Sequence, residues 1–275
     1  MPTLLRYQNG LNWQPSMLVS YVNLAAVMRN NVLDVCDEWV LDSGAYSAAT
    51  SGKEIDLNKY IDDCHRLMKT KKPPKHIFGL DVIGDPEASA KNIDEMRRQG
   101  VDALATFHYG SPYHYLKDVS AYGKMAFGGL VQRGAGGHGT RLDASMRLRF
   151  LENCFSRIDW PVWIHGFGCC DHKILLKYPL ASADSTSWVY SLQRYGHLQY
   201  LKVNNANIRE SRDKATYTSC LIGQIEHFRT LEQQTRDKWR RLHEKLGLGE
   251  FRLRFVASGK TDRTRFETYK QRRSA

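Results

Sequence analysis

Short apolar runs that close on an acid, a histidine or a glycine recur along the chain. They are Val40-Leu41-Asp42-Ser43-Gly44, Ile77-Phe78-Gly79-Leu80-Asp81, Leu104-Ala105-Thr106-Phe107-His108, Met125-Ala126-Phe127-Gly128-Gly129-Leu130, Val162-Trp163-Ile164-His165-Gly166 and Leu180-Ala181-Ser182-Ala183-Asp184. Runs apolar at every position, without strict alternation, are the mark of parallel strands buried on both faces. Between them the period becomes helical: over 55–71, Ile55, Leu57, Tyr60, Ile61, Cys64 and Leu67 share one face, and Pro73-Pro74 stops the pattern. Asp85-Pro86-Glu87 supplies an N-cap and an N1 proline for a helix reaching Gln99. The patterning predicts strands over 17–21, 39–44, 76–82, 103–108, 124–131, 162–166 and 180–184, with a weak eighth at 201–203. Helices are predicted over 22–29, 55–71, 85–99, 112–122, 141–158, 171–177 and 216–246.

An unbroken β/α alternation of this length predicts an α/β fold, a single (β/α)8 TIM-like barrel over 1–250 with a basic helical C-terminal extension; 251–275 is the basic tail. A doubly wound open sheet is the structural alternative. Either way the strand ends set acids, histidines and glycines along one edge of one sheet, and in a barrel they converge on one pocket.

The 275 residues, 42% hydrophobic and 11% aromatic, are ample for one core. No run approaches the ~18 to 20 apolar residues of a membrane helix, and the N-terminus lacks the pattern of a signal peptide, so the chain reads as cytoplasmic with no membrane partner. The formal net charge of +11 points to a polyanion partner, and the tail from Phe251 carries eight Lys or Arg against two acids. Cys36, Cys64, Cys154, Cys169, Cys170 and Cys220 show no C-x-x-C spacing, so no metal site is expected and the thiols read as reduced packing residues.

Three aspartates, Asp42, Asp81 and Asp184, each end a predicted strand. Carboxylates sharing one partly dry pocket titrate differently, so one can act as nucleophile while another handles protons. Two plainer readings of the same residues are helix caps and ligands of a divalent metal. Gly128-Gly129 offers backbone N–H groups to a flat ligand or answers a packing need, and His108 and His165 are placed either to donate to a ligand or to cap strands. No dinucleotide or Walker pattern is present, and residue order alone decides no Ser/His/Asp arrangement.

Together these residues carry a resemblance. Asp42-Ser43-Gly44-Ala45-Tyr46 resembles the D-S-G-G-F motif of the tRNA-guanine transglycosylases, Phe78-Gly79-Leu80-Asp81 falls where that family has its base-reading aspartate, and Gly128-Gly129-Leu130 matches its G-G-L. His108 stands in place of a base-contacting glutamine and Asp184 in place of the nucleophilic aspartate. The resemblance covers roughly 19–188. The family's C-terminal zinc motif is missing, and G-G-L continues as Val131-Gln132-Arg133-Gly134 rather than with acids. A compact, zinc-free chain with D-S-G-A-Y and F-H-Y-G is most similar to the phage-type DNA guanine transglycosylases, the DpdA proteins.

The resemblance implies exchange of guanine in DNA for a free 7-deazaguanine base, with no cofactor. Asp184 would attack C1′ and Asp42 would move the proton. Asp81 would read the guanine edge beside His108, Gly128 and Gly129; Ser43, Gly44, Leu130 and His165 would complete the base pocket, and Tyr46 would stack on the base. Arg133, Arg141, Arg252, Arg254 and Lys260 are the expected contacts to the nucleic acid. The same pocket serves a tRNA anticodon loop, and a non-catalytic nucleic-acid-binding subunit is the remaining alternative.

Overall fold

In the computed structural model, which describes residues 14–130, 142–159, 162–185 and 214–246 and the backbone of 252–256 and 265–269, seven strands form one parallel sheet in chain order. They are β1 (Met17–Ser20), β2 (Trp39–Asp42), β3 (His76–Phe78), β4 (Ala103–His108), β5 (Lys124–Gly128), β6 (Trp163–Gly166) and β7 (Ser182–Ala183). The connecting helices are α1 (Leu24–Arg29), α2 (Ala45–Thr50), α3 (Leu57–Met68), α4 (Pro86–Arg98), α5 (His114–Ala121), α6 (Ala144–Phe155) and α7 (His172–Lys177). Helix α2 is the one these patterns did not announce, being a single short turn-and-a-half of small residues. Among the described residues no helix is long and apolar enough to cross a membrane.

The consecutive order decides against a doubly wound sheet, whose strand order reverses at a switch point. Crossovers of one hand that always step the same way put every helix on the same face, so the other face has to be covered by the sheet itself. It is. In a flat sheet β3 and β6 stand three strand spacings apart, about 14 Å, yet the His76 and Trp163 rings lie 4.3 Å apart and those of Phe78 and His165 5.0 Å apart. The sheet is therefore strongly curled. Its concave face holds Leu18, Val40, Phe78, Leu104, Ala126, Trp163 and Phe167. The alternate residues of the same strands, among them Leu41, Ile77, Phe107, Phe127 and Ile164, turn outward into two apolar clusters under the helices. β1 and β7 are not paired with one another, and the segment expected as an eighth strand, 201–203, lies outside the described residues.

Helix α3 shows how the outer layer forms. Asp56 accepts the Lys59 N–H at 2.6 Å as N-cap, and Tyr60, Ile61, Cys64 and Leu67 are buried on one face. A cap of this kind is worth about 1 kcal/mol, and each large buried side chain roughly 1.5 to 3 kcal/mol. Asp85, Asp143 and Asp171 cap α4, α6 and α7 in the same way.

Beyond the sheet runs α8 (Lys214–Leu246), close to the expected 216–246. Its Trp239 Nε1 donates to the Leu175 carbonyl at 3.0 Å, and Leu231 is buried in the cluster containing Leu175 and Tyr178. Where the extension was expected to be helical, the described backbone at 252–256 and 265–269 is extended. The backbone of β8 (Arg252–Val256) and β9 (Arg265–Tyr269) forms an antiparallel pair, and the reason is in the period: Arg252, Leu253, Arg254 and Phe255 alternate polar and apolar, a two-residue repeat that suits a strand.

Candidate active site

All seven strands point the same way, so β2, β4, β5 and β6 and the segments that continue β3 and β7 deliver their last polar residues to one edge of the concave face. β2 ends in Asp42, which is in register with Ser20 of β1. The chain then turns sharply into α2 through Gly44 at φ +77°. A Cβ there would come 2.9 Å from Ser20 Oγ and 3.0 Å from Val22, so the turn needs glycine on both counts. Burial pushes the Asp42 carboxyl up to about 6 from 3.8. The Gly44 N–H and the adjacent Ser20 hydroxyl offset part of this, and the charges of Asp184 and Asp81 add to it. Ser20 Oγ is buried and, among the described residues, makes no hydrogen bond of ordinary geometry. Ser43 is buried, and its hydroxyl accepts from the Ala45 N–H at 3.5 Å, a contact that shapes the turn.

Asp81 follows β3 in a loop held at both sides. Asn92 donates to the Leu80 carbonyl at 2.9 Å, and the Val82 N–H donates to Ser89 Oγ at 2.8 Å. Its Oδ2 lies 3.1 Å from His108 Nε2 at the end of β4. Burial draws the His108 pKa down, but the hydrogen bond and the charge of Asp81 together outweigh it and hold it above the ordinary value. The ring lies over Gly128: a Cβ on that residue would meet His108 Nδ1 at 2.6 Å and Thr106 Cγ2 at 2.8 Å. Glycine at 128 is thus what lets the imidazole reach Asp81. Thr106 sits one step deeper along β4, its Oγ1 buried without a hydrogen bond.

On the far side of the curl, His165 of β6 is almost wholly buried among the rings of Phe78, Phe167 and Trp163. Its Nδ1 lies 2.8 Å from Ser182 Oγ and its Nε2 3.3 Å from Asp184 Oδ1. The Gly168 N–H donates to the same Asp184 oxygen at 2.9 Å. Among the described residues both hydrogen bonds of Asp184 fall on Oδ1, which leaves Oδ2 as the oxygen to meet a ligand. Cys169 and Cys170 lie next to it, and burial pushes both thiols up, Cys169 to about 12, which leaves neither as a competing nucleophile. Tyr60 of α3 braces the end of β3 from the helix side, its buried hydroxyl donating to the Phe78 carbonyl at 2.8 Å.

The structure thus brings Asp42, Asp81, His108, Gly128, His165 and Asp184 to one edge and corrects several expectations. Among the described residues neither Asp42 nor Asp81 caps a helix; Asp56, Asp85, Asp143 and Asp171 do. Leu130 is not a pocket residue. It is fully buried in the outer cluster with Phe107 and Leu116, because the turn at Gly129, φ +73°, rotates it off the concave face. His165 has both ring nitrogens engaged and none left for a base. His108 spends Nε2 on Asp81, so only Nδ1 could serve a ligand. Tyr46 sits half exposed on α2 at the rim. Arg133, Arg141 and Lys260 lie outside the described residues, and Arg252 and Arg254 are described in backbone only, on β8. Sequence reasoning missed Ser20, Thr106 and Ser182. Each sits two residues before a rim position on the same strand or in register with one, which is the signal that could have found them.

Among the described residues no three His, Cys, Asp or Glu side chains come together as a metal site. A cleft at the opposite edge of the sheet is lined by Val27, Leu33, Trp39 and Leu67; there Lys72 donates to the Leu33 and Cys36 carbonyls, a packing arrangement away from the carboxylates. No protein-family model matches the chain, and no curated protein matches it.

Proposed function

We propose that the chain is a guanine transglycosylase of the kind that acts on DNA, exchanging guanine for a 7-deazaguanine base. The observation that carries the reading is that three strand-end aspartates face one concave space in unlike environments: one desolvated and easily protonated, one paired with a histidine, and one held, among the described residues, through a single oxygen. That division of labour is what nucleophilic displacement with proton transfer requires. The likeness of Asp42-Ser43-Gly44-Ala45-Tyr46, Phe78-Gly79-Leu80-Asp81 and Gly128-Gly129-Leu130 to the transglycosylase motifs supports it. The reading includes closure of the curled sheet into an eight-stranded barrel.

In this reading Asp184 Oδ2 bonds to C1′ of a deoxyguanosine taken out of the stack. The C1′–N9 bond breaks with its electron pair going to guanine, which takes the proton carried by Asp42. The incoming base returns a proton to Asp42, its nitrogen attacks C1′, and the aspartyl ester is released. Asp81 Oδ1, its other oxygen being paired with His108, accepts from the guanine N1 and N2 groups, and the Gly129 N–H and His108 Nδ1 meet the opposite edge. The chain needs no redox or nucleotide cofactor for this. The basic tail and Arg133, Arg141, Arg252, Arg254 and Lys260 neutralise backbone phosphate, a contribution that falls steeply with salt. The site of action is the cytoplasm, that of a host cell if the chain is phage-encoded.

Release of labelled guanine from DNA, measured with and without added 7-deazaguanine bases and run in parallel on tRNA, tests the proposal. Base-dependent release from DNA is expected. Ready exchange in tRNA with none in DNA replaces the DNA assignment with the tRNA one, and release from neither removes the transglycosylase reading.

A further inference from the structure

The contacts around His165 assign a role to two side chains, one of which the sequence did not single out. We propose that Ser182 and His165 are positioning residues that fix the Asp184 carboxylate, by dictating which imidazole nitrogen carries the proton, so that Oδ1 is held and Oδ2 is presented to the reacting carbon. The proposal rests on the reading of Asp184 as the nucleophile.

An ionised carboxylate is an acceptor only, so the 3.3 Å contact between His165 Nε2 and Asp184 Oδ1 needs its hydrogen on Nε2. In the neutral ring Nδ1 is then an acceptor, and the Ser182 hydroxyl 2.8 Å away must donate to it. A proton order of Ser182 to His165 to Asp184 follows from the three groups alone. The ring is 2% exposed and lies among Phe78 at 5.0 Å, Phe167 at 4.7 Å and Trp163 at 6.4 Å, so its orientation is fixed by packing. The second donor to Oδ1, the Gly168 N–H, is set by a turn in which the Cys169 N–H bonds the Gly166 carbonyl at 3.3 Å, and the Asp184 N–H bonds that same carbonyl at 3.4 Å. Two donors converging on one oxygen, one from β6 and one from the turn that follows it, leave the carboxylate little rotational freedom about its last bond, and near-attack geometry of this kind is a large part of what an active site contributes.

The same proton order activates serine in hydrolases, where the carboxylate stands behind the histidine. Here the placement is reversed. Ser182 lies one step deeper along β7 than Asp184, which continues the strand to the rim, and the Asp184 side chain retains 23% exposure where His165 has 2%. The relay therefore runs outward and ends on the carboxylate.

The tautomer can be read without any substrate. Nitrogen-15 spectra of the imidazoles in the whole protein, with His165 assigned through His165→Gln, should show Nε2 protonated and Nδ1 not, and Ser182→Ala should shift that pattern. Protonated Nδ1 in the unaltered protein overturns the proposal whatever reaction the protein performs. With guanine exchange in hand, His165→Asn, whose amide cannot reach Asp184, should lose on the order of 100-fold in kcat, the effect of a misplacement of about 1 Å. His165→Gln, whose amide nitrogen stands near Nε2, should regain most of it. Ser182→Ala should lower kcat with KM for the free base unchanged, and Ser182→Thr should restore it. Equal losses in the two His165 variants, full activity in Ser182→Ala, or a covalent adduct mapped to Ser182 would each overturn the assignment. If the tautomer is as stated and no substrate is exchanged, the failure belongs to the functional reading and not to the relay.

Discussion

Asp42 and Asp184 lie near the two ends of the curled sheet, β2 and the continuation of β7, and the protein treats them in opposite ways. Asp42 is half-buried beside one hydroxyl and one backbone N–H, which do not fully replace its hydration, so its carboxyl is pushed up to about 6. Asp184 receives two N–H donors on one oxygen and, among the described residues, none on the other. The same side chain thus becomes a proton carrier at one end and a positioned oxygen at the other, and the difference comes from donors and burial supplied by neighbouring strands. What distinguishes them is absent from the residue itself and present in its register partners: Ser20 for Asp42, His165 and Ser182 for Asp184.

The sharpest way to break the comparison is to remove the open oxygen. Asp184→Asn should abolish the covalent adduct seen on denaturing gels of the protein with guanine-containing DNA, a loss of more than about 1,000-fold. An adduct that persists in this variant transfers the nucleophile's role to Asp42 and ends the contrast.

The second test strikes the proton carrier. Adduct formation needs a proton on Asp42, so its single-turnover rate should fall as pH rises through about 6; Asp42→Asn should lower that rate on the order of 100-fold and flatten the profile. The contribution of Asp42 to stability should fall over the same pH range. A carboxyl whose folded-state pKa is raised contributes stability below its unfolded value of 3.8, and loses it as pH rises through about 6. The ionised form is then a burden of about 3 kcal/mol. Asp42→Asn should therefore melt higher than the unaltered protein at pH 8 and show no such gain at pH 4. An equal or lower melting temperature at pH 8 would mean that Asp42 is not desolvated.

Much of this was legible in the chain, and the limits are physical. Parallel strands buried on both faces show as uninterrupted apolar runs, so Trp39–Asp42 and Ala103–His108 were located to within a residue or two. The three aspartates stood out because a charge at the end of such a run has no packing role. Less legible was anything set by closure of the curl. Apolar residues on both sides of Gly129 gave no sign that Leu130 would rotate into the core, and residue order could not say that Ser182 would meet His165 across two strands. In the tail the charge was read and the two-residue period of 252–255 was not.

Between the two ends lies Asp81, and its removal should be felt less. Asp81→Ala takes away the acceptor for the guanine edge and should lower kcat/KM for the base by about 2 to 4 kcal/mol. It should also release His108, whose pKa, then under the influence of burial alone, should fall below 6.5 in an NMR titration. A His108 pKa unchanged by the substitution would mean that the 3.1 Å contact does not govern the imidazole.

The smallest effect belongs to the rim. Tyr46 is 49% exposed on α2, four residues after the carboxylate that ends β2, where an unstacked base entering the concave face would pass. Stacking on an aromatic ring is worth about 1 to 3 kcal/mol per base and is indifferent to the base's hydrogen-bonding edge. Tyr46→Ala should therefore weaken binding of single-stranded DNA by that amount without changing which base is exchanged, and Tyr46→Phe should bind as the unaltered protein does. A residue this exposed contributes little to the core, so the melting temperature should stay within a degree or two, about ±0.5 kcal/mol. If Tyr46→Ala and Tyr46→Phe weaken DNA binding alike, the hydroxyl and not the ring is what the nucleic acid meets, and the rim reads a polar group rather than offering a stacking platform.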